Sequence, residues 1–115
     1  SNASKTLQLV EELTDVYVKK DYPSWNRRKR KTKEAERIKN TSRDAQTIKY
    51  ADMIDNCPEL TDNDPDFAER FLKECRQHLT KMQRGNRELH QRAIKTVNDC
   101  LERLGEKKKT NVDLS

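Results

Sequence analysis

Lys49, Asp52 and Asn56 stand at positions i, i+3 and i+7. At about 100° per residue, that spacing sets an ammonium, a carboxylate and a carboxamide on one stripe of a helix. Small Ala45 falls between them, while Tyr50, Ala51 and Ile54, with Ile48 at the margin, form a wide apolar face on the other side. A mostly buried helix has to satisfy such polar groups, because unpaired buried polar atoms are costly. Either neighbouring helices pair with them or they line a site.

A second group with chemistry lies upstream. Arg27, Arg28, Lys29, Arg30, Lys31 and Lys33 place six bases in seven residues. Clustered Lys and Arg can neutralise phosphate charge. Stacking of nucleic-acid bases needs interleaved aromatic rings, and Trp25 alone is adjacent, so small-molecule phosphates are favoured over nucleic acid. The plainest reading is a solvated helix partly balanced by the acidic stretch. Residues 19–40 hold ten bases against three acids, and residues 52–69 hold seven acids and no base. A chain so divided can pair its own halves, and its net charge of +5 does not by itself imply nucleic acid.

Two further patterns carry less. Asp62-Asn63-Asp64-Pro65-Asp66 opens like a calcium loop, but Phe67 stands where the turn needs glycine and Lys73 where a bidentate glutamate belongs. These acids read as loop and cap residues. Cys75 and His78, with His90 and Cys100, invite a zinc site, yet both cysteines belong to apolar stripes and no ligand pair has finger-like spacing. With two glycines in the chain, phosphate-cradling glycine loops and nucleophile elbows are excluded.

The elements that must position these residues read as helices. Five are expected, in an all-α fold. The first covers about residues 5–19, with Leu9, Val10, Leu13, Val16 and Tyr17 as its core stripe. The second covers about 25–40, capped by Ser24 and thinly anchored by Trp25, Ala35 and Ile38. The third contains the opening stripe, starts at a Ser42 cap and ends at Cys57-Pro58, before an acidic loop over 58–63. Asp64-Pro65-Asp66 starts the fourth, whose Ala68, Leu72, Cys75, Leu79 and Met82 recur at core spacing. Gly85-Asn86 breaks it. The fifth buries Leu89, Ala93, Val97, Cys100 and Leu104 and stops at Gly105. So short a break makes the last two helices a long antiparallel hairpin.

The 115 residues suit one small domain, taken as 4–105, after a tag-removal scar at 1–3 and before a polar tail at 106–115. No secretory segment and no apolar run near the length of a membrane span is present. Three cysteines without a CxxC read as reduced, mostly buried thiols of a cytoplasmic protein.

The run Ile48-Lys49-x-Ala51-Asp52-x-x-x-Asn56 resembles the last motif of the HD superfamily of metal-dependent phosphohydrolases, closest to the RelA/SpoT-type guanosine tetraphosphate and pentaphosphate hydrolases. Leu9 to Val16 resembles the helix that follows the HD motif in that branch, Asn26 to Lys31 the basic helix before the final aspartate, and Asp66-Phe67-Ala68 with its helix the C-terminal helices. The resemblance implies that Asp52 is a ligand of one divalent metal, manganese in type. It implies that Asn56 and Lys49 face the nucleotide, and that Lys29 and Lys31 lie near its phosphates. It also implies a departure, because the family's histidine and His-Asp pair precede this region, whereas His78 and His90 both follow Asp52. Asp55 departs too, standing where related hydrolases often carry histidine or tyrosine. The expectation is the C-terminal portion of an HD domain that binds no catalytic metal alone and is inactive alone, with a second chain covering an exposed apolar face. The alternative is a non-catalytic helical binding or scaffold module that uses the basic helix on nucleic acid or an acidic protein.

Overall fold

The computed structural model describes the backbone of residues 2–114 and the side chains of residues 4–106. Among these residues the fold is all-helical, with α1 (Asn2–Leu13), α2 (Arg27–Ile38), α3 (Arg43–Asn63), α4 (Pro65–Lys81) and α5 (Arg87–Leu114). Ser1, the first residue of the expected scar, and Ser115 lie outside the described residues. No described helix is long and apolar enough to cross a membrane.

Helix α1 ends at Leu13, six residues before the expected end near residue 19. The cause is a buried carboxylate on α2. Glu34, 1% exposed, accepts from the backbone N–H groups of Val16 (2.6 Å) and Tyr17 (2.5 Å), which draws this segment out of the helix. Arg37, paired with Glu34 at 2.9 Å, donates to the carbonyls of Glu12 and Thr14 and so satisfies the end of α1. The irregular segment 14–26 then folds around a cluster of Tyr17, Tyr22 and Trp25, with ring centroids 4.5–5.8 Å apart. Asn26, not Ser24, caps α2, its side chain accepting from Lys29 N at 2.8 Å.

Ser42 caps α3 as expected, accepting from Ala45 N while its own hydroxyl and N–H donate to Glu12. The helix does not stop at Cys57-Pro58. It continues to Asn63, so the expected acidic loop is helical. An interior proline removes one backbone hydrogen bond and costs about 3 kcal/mol. Continuing the helix buries Cys57 and Thr61 completely and half-buries Leu60, and Thr61 Oγ1 donates to Cys57 O at 2.7 Å. Burial of that size offsets the proline. The buried face of α3 is also rotated from the expected one. Tyr50, Met53 and Cys57 point inward, whereas Ala51 is exposed, Ile48 is 43% exposed and Ile54 is half-buried.

The hairpin forms as the pattern requires. Asp64 caps α4 with Pro65 at its start, and Asn86 caps α5 by accepting from Leu89 N. Ala68, Leu72, Cys75, Leu79 and Met82 meet Ala93, Val97, Cys100 and Leu104 in one core with Tyr50, Met53 and Ile38. Gly105 does not end α5, whose backbone stays helical to Leu114. An exposed helical glycine costs only about 1 kcal/mol relative to alanine, and good helix formers follow it. The turn between α4 and α5 is fastened to α3. Tyr50 donates to Met82 O (2.5 Å) and accepts from Gly85 N (3.2 Å), Gln46 accepts from Arg84 N, and Thr47 accepts from Asn86 N.

Candidate functional site

The basic helix begins with Arg27 to Lys31 and has no acid in its first turn, so its own dipole opposes its charge. The compensation comes from neighbours, and not from the acidic stretch 52–69. Arg27 Nε reaches Glu74 on α4 at 2.7 Å and its guanidinium lies 5.1 Å from the Phe67 ring centroid. Lys31 pairs with Asp15 at 3.3 Å, Lys29 lies 4.4 Å from the Trp25 ring centroid, and Arg30 donates to Trp25 O. In the acidic stretch, Asp62 instead takes Arg103 of α5, and Glu69 pairs along its own helix with Lys73. The pairs Arg27–Glu74, Lys31–Asp15 and Arg103–Asp62 thus run outside the expected pairing of the two charged halves.

Between α2 and α4 this leaves a groove of about 630 Å³, lined by Arg27, Arg28, Lys31, Arg70 and Lys73 with Asn26, Glu74 and Gln77. Its volume is in the range of small-molecule sites. Arg28 and Arg70 have no ion-pair partner among the described residues. Lys31 and Glu74 also line a second, smaller cleft of about 120 Å³, where α2, α3 and α4 meet. Lys49 and Asp52 from α3, His78 and Cys75 from α4, and Asp15 from the segment after α1 complete that cleft.

Of the five residues proposed from sequence, three therefore converge: Lys31, Lys49 and Asp52. Asn56 sits one turn along α3, beside a shallow hollow with Glu59, Leu60 and Phe71, and joins the group by donating to Asp52 Oδ1 at 2.8 Å. Lys29 stands apart on the Trp25 ring. Asp52 and Asn56 are exposed and Lys49 is half-buried. Asp52 and Asn56 pair with each other, and Lys49 has no ion-pair partner among the described residues.

Sequence reasoning missed Arg70, Lys73, Glu74 and His78 as site residues. The first two and Gln77 recur at i, i+3 and i+7, one face of α4. That polar stripe shares α4 with the stronger apolar stripe of Ala68, Leu72, Cys75 and Leu79. Burial pushes the His78 imidazole pKa down, with the charges of Lys31 and Lys49 adding to the effect and the Lys31 backbone and Asp15 opposing it. Deeper in, Cys57 and Cys75 lie 3.9 Å apart, and the Cys57 contact together with burial pushes the Cys75 thiol up.

The implied metal does not fit the residues present. A divalent ion of the expected kind needs several oxygen or imidazole ligands. Among the described residues no three His, Cys, Asp or Glu side chains form such a group, and the Asp52 carboxylate is already engaged by Asn56. No family model matches this chain, and neither the curated proteins nor the solved structures supply a match.

Proposed function

We propose that this chain is the C-terminal, phosphate-facing portion of an HD-type nucleotide phosphohydrolase, acting on a guanosine polyphosphate or a related nucleotide, and that alone it binds without hydrolysing. The observation that carries this reading is the convergence of Lys31, Lys49 and Asp52 from two helices on one cleft, which shares Lys31 and Glu74 with the basic groove. A nucleotide can occupy the larger space, where Arg28 and Arg70 offer charge not already spent on carboxylates. Hydrolysis would need further metal ligands from outside these residues. Leu7, Val10, Val16 and Ile48 are exposed apolar side chains, and a second chain covering them belongs to the same proposal.

Calorimetric titration of guanosine tetraphosphate into the purified chain tests it. Binding is expected, weakened about tenfold by Lys31→Ala or Arg28→Ala, the loss of one charge-assisted contact each. Adding manganese should release no pyrophosphate. Turnover abolished by Asp52→Ala would overturn the inactivity, and absence of binding would overturn the reading.

A second reading, a non-catalytic module for an acidic partner, is favoured by the groove's unpaired Arg28 and Arg70. Nucleic acid fits it poorly, because the aromatic rings beside α2 stack on one another instead of lining the groove. A salt-sensitive gel shift lost on neutralising Arg27 to Lys31 would favour nucleic acid after all.

A further inference from the structure

The chain has three cysteines, and all three are free and buried. Two of them meet. Cys57 on α3 and Cys75 on α4 bring their sulfurs to 3.9 Å, whereas Cys100 on α5 makes no such contact among the described residues. A disulfide sets its sulfurs about 2 Å apart. Helices α3 and α4 already pack on one another, and rotation about the two Cα–Cβ bonds with a small approach of the helices can close the gap.

Access is the second requirement. Cys57 is fully enclosed and Cys75 is 4% exposed. Cys75 nevertheless lines the small cleft where α2, α3 and α4 meet, a space of about 120 Å³. That matches roughly four water volumes of about 30 Å³ each. Hydrogen peroxide fits such a space, and a bulky organic disulfide does not. Asp15, Asp52 and Glu74 line the cleft together with Lys31 and Lys49, so a neutral oxidant meets no strong opposing charge. Contact with Cys57 and burial hold the Cys75 thiol protonated, which makes its oxidation slow.

We propose that Cys57 and Cys75 are a reversible redox couple that closes to an intrachain disulfide under hydrogen peroxide and locks α3 to α4 beside the cleft. The S–S bond forms as two S–H bonds and the O–O bond break. The thiols give up two electrons and two protons, and the peroxide leaves as two waters. A dithiol reverses the step by thiol–disulfide exchange, becoming a cyclic disulfide as it returns two electrons and two protons to the pair. The closed loop, residues 57–75, spans Pro58 and the junction of the two helices at Asp64. Closing it restricts the unfolded chain, so the oxidised form resists urea better than the reduced one. It also fixes the helix that carries Lys49 and Asp52 against the helix that carries Glu74 and His78. The couple stands whatever the basic groove binds.

Peroxide treatment of the whole chain, stopped with catalase and followed by unfolding, alkylation and intact mass measurement, tests this. The expected product is a single chain with one thiol left to alkylate, Cys100, where the untreated chain has three. Peptide mapping should join the Cys57 and Cys75 peptides, dithiothreitol should restore all three thiols, and the oxidised chain should show a higher urea midpoint. Cys100→Ser should leave the closure intact, and Cys57→Ser or Cys75→Ser should abolish it. If either of the last two fails to fold, the peptide map and the urea midpoint of Cys100→Ser decide the matter. Persistence of all three thiols, a link that includes Cys100, a crosslink between chains or a product that dithiothreitol does not reverse overturns the proposal. A disulfide that leaves the urea midpoint unchanged or lowers it overturns the lock.

Discussion

Gly85 shows how closely single residues are fitted around Tyr50. A Cβ there would lie 2.5 Å from Tyr50 Cε2 and 2.9 Å from Thr47 N. Tyr50 cannot retreat, because it is fully buried and its hydroxyl bonds both Met82 O and Gly85 N. Gly85→Ala should therefore destabilise by about 2 kcal/mol, the usual cost of overpacking, read as a lower urea midpoint with unchanged slope. His78 gives a prediction of another kind. Burial, with Lys31 and Lys49 nearby, holds its folded pKa below the ordinary 6.5. The unfolded chain then takes up the proton first, so this contribution to stability is present above about pH 6.5 and is lost as pH falls through the folded pKa. Urea titrations at about pH 7.5 and about pH 5.5 should show a larger loss for the unaltered chain than for His78→Gln. Equal losses would remove the argument.

Among the elements, α2 is the least predictable from sequence and the most dependent on its neighbours. Its one buried charge is a tertiary feature. Glu34 looks like any helical glutamate in the sequence, yet it accepts from Val16 N and Tyr17 N and anchors Arg37. Replacing it by glutamine leaves Arg37 without its carboxylate and sets an amide against two backbone donors. A loss of about 3 kcal/mol is expected, as for breaking a buried ion pair. Because the released segment carries the aromatic cluster around the single tryptophan, Trp25, the emission of that residue should shift to the red before global unfolding. The same contrast explains what could be read in advance. Caps at Ser42 and Asp64-Pro65, and the stripes of α4 and α5, are local signals, and the structure follows them. The end of α1 and the passage of α3 through Pro58 depend on which carbonyls and side chains find partners elsewhere. The site divides in the same way. Lys49 and Asp52 share a helix and were legible together, whereas His78, Glu74 and Asp15 reach them only through the packing of α2, α3 and α4.

At the scale of the whole molecule, the chain measures 59 × 38 × 21 Å with a radius of gyration of 15.7 Å. A compact chain of this length would give about 13 Å. The excess reflects a long α5 and an α1 that lies to one side, packed chiefly on α3. Burial is concentrated in α3, α4 and the first part of α5, where Leu72, Leu79, Met82 and Val97 are almost fully enclosed. Stability should be distributed accordingly. Leu72→Ala removes a fully buried side chain that cannot be replaced by solvent, and should cost about 3 kcal/mol. Leu7 is 60% exposed, so Leu7→Ser should stay within about 0.5 kcal/mol in the isolated chain. Native-state hydrogen exchange should rank the amides the same way, slowest along Tyr50–Thr61 and through α4, fastest in α1. If α1 exchanged as slowly as α4, or if Leu7→Ser destabilised as much as Leu72→Ala, then the exposed face of α1 would be covered in solution. That outcome would make the second chain of the proposed function a structural partner rather than an optional one.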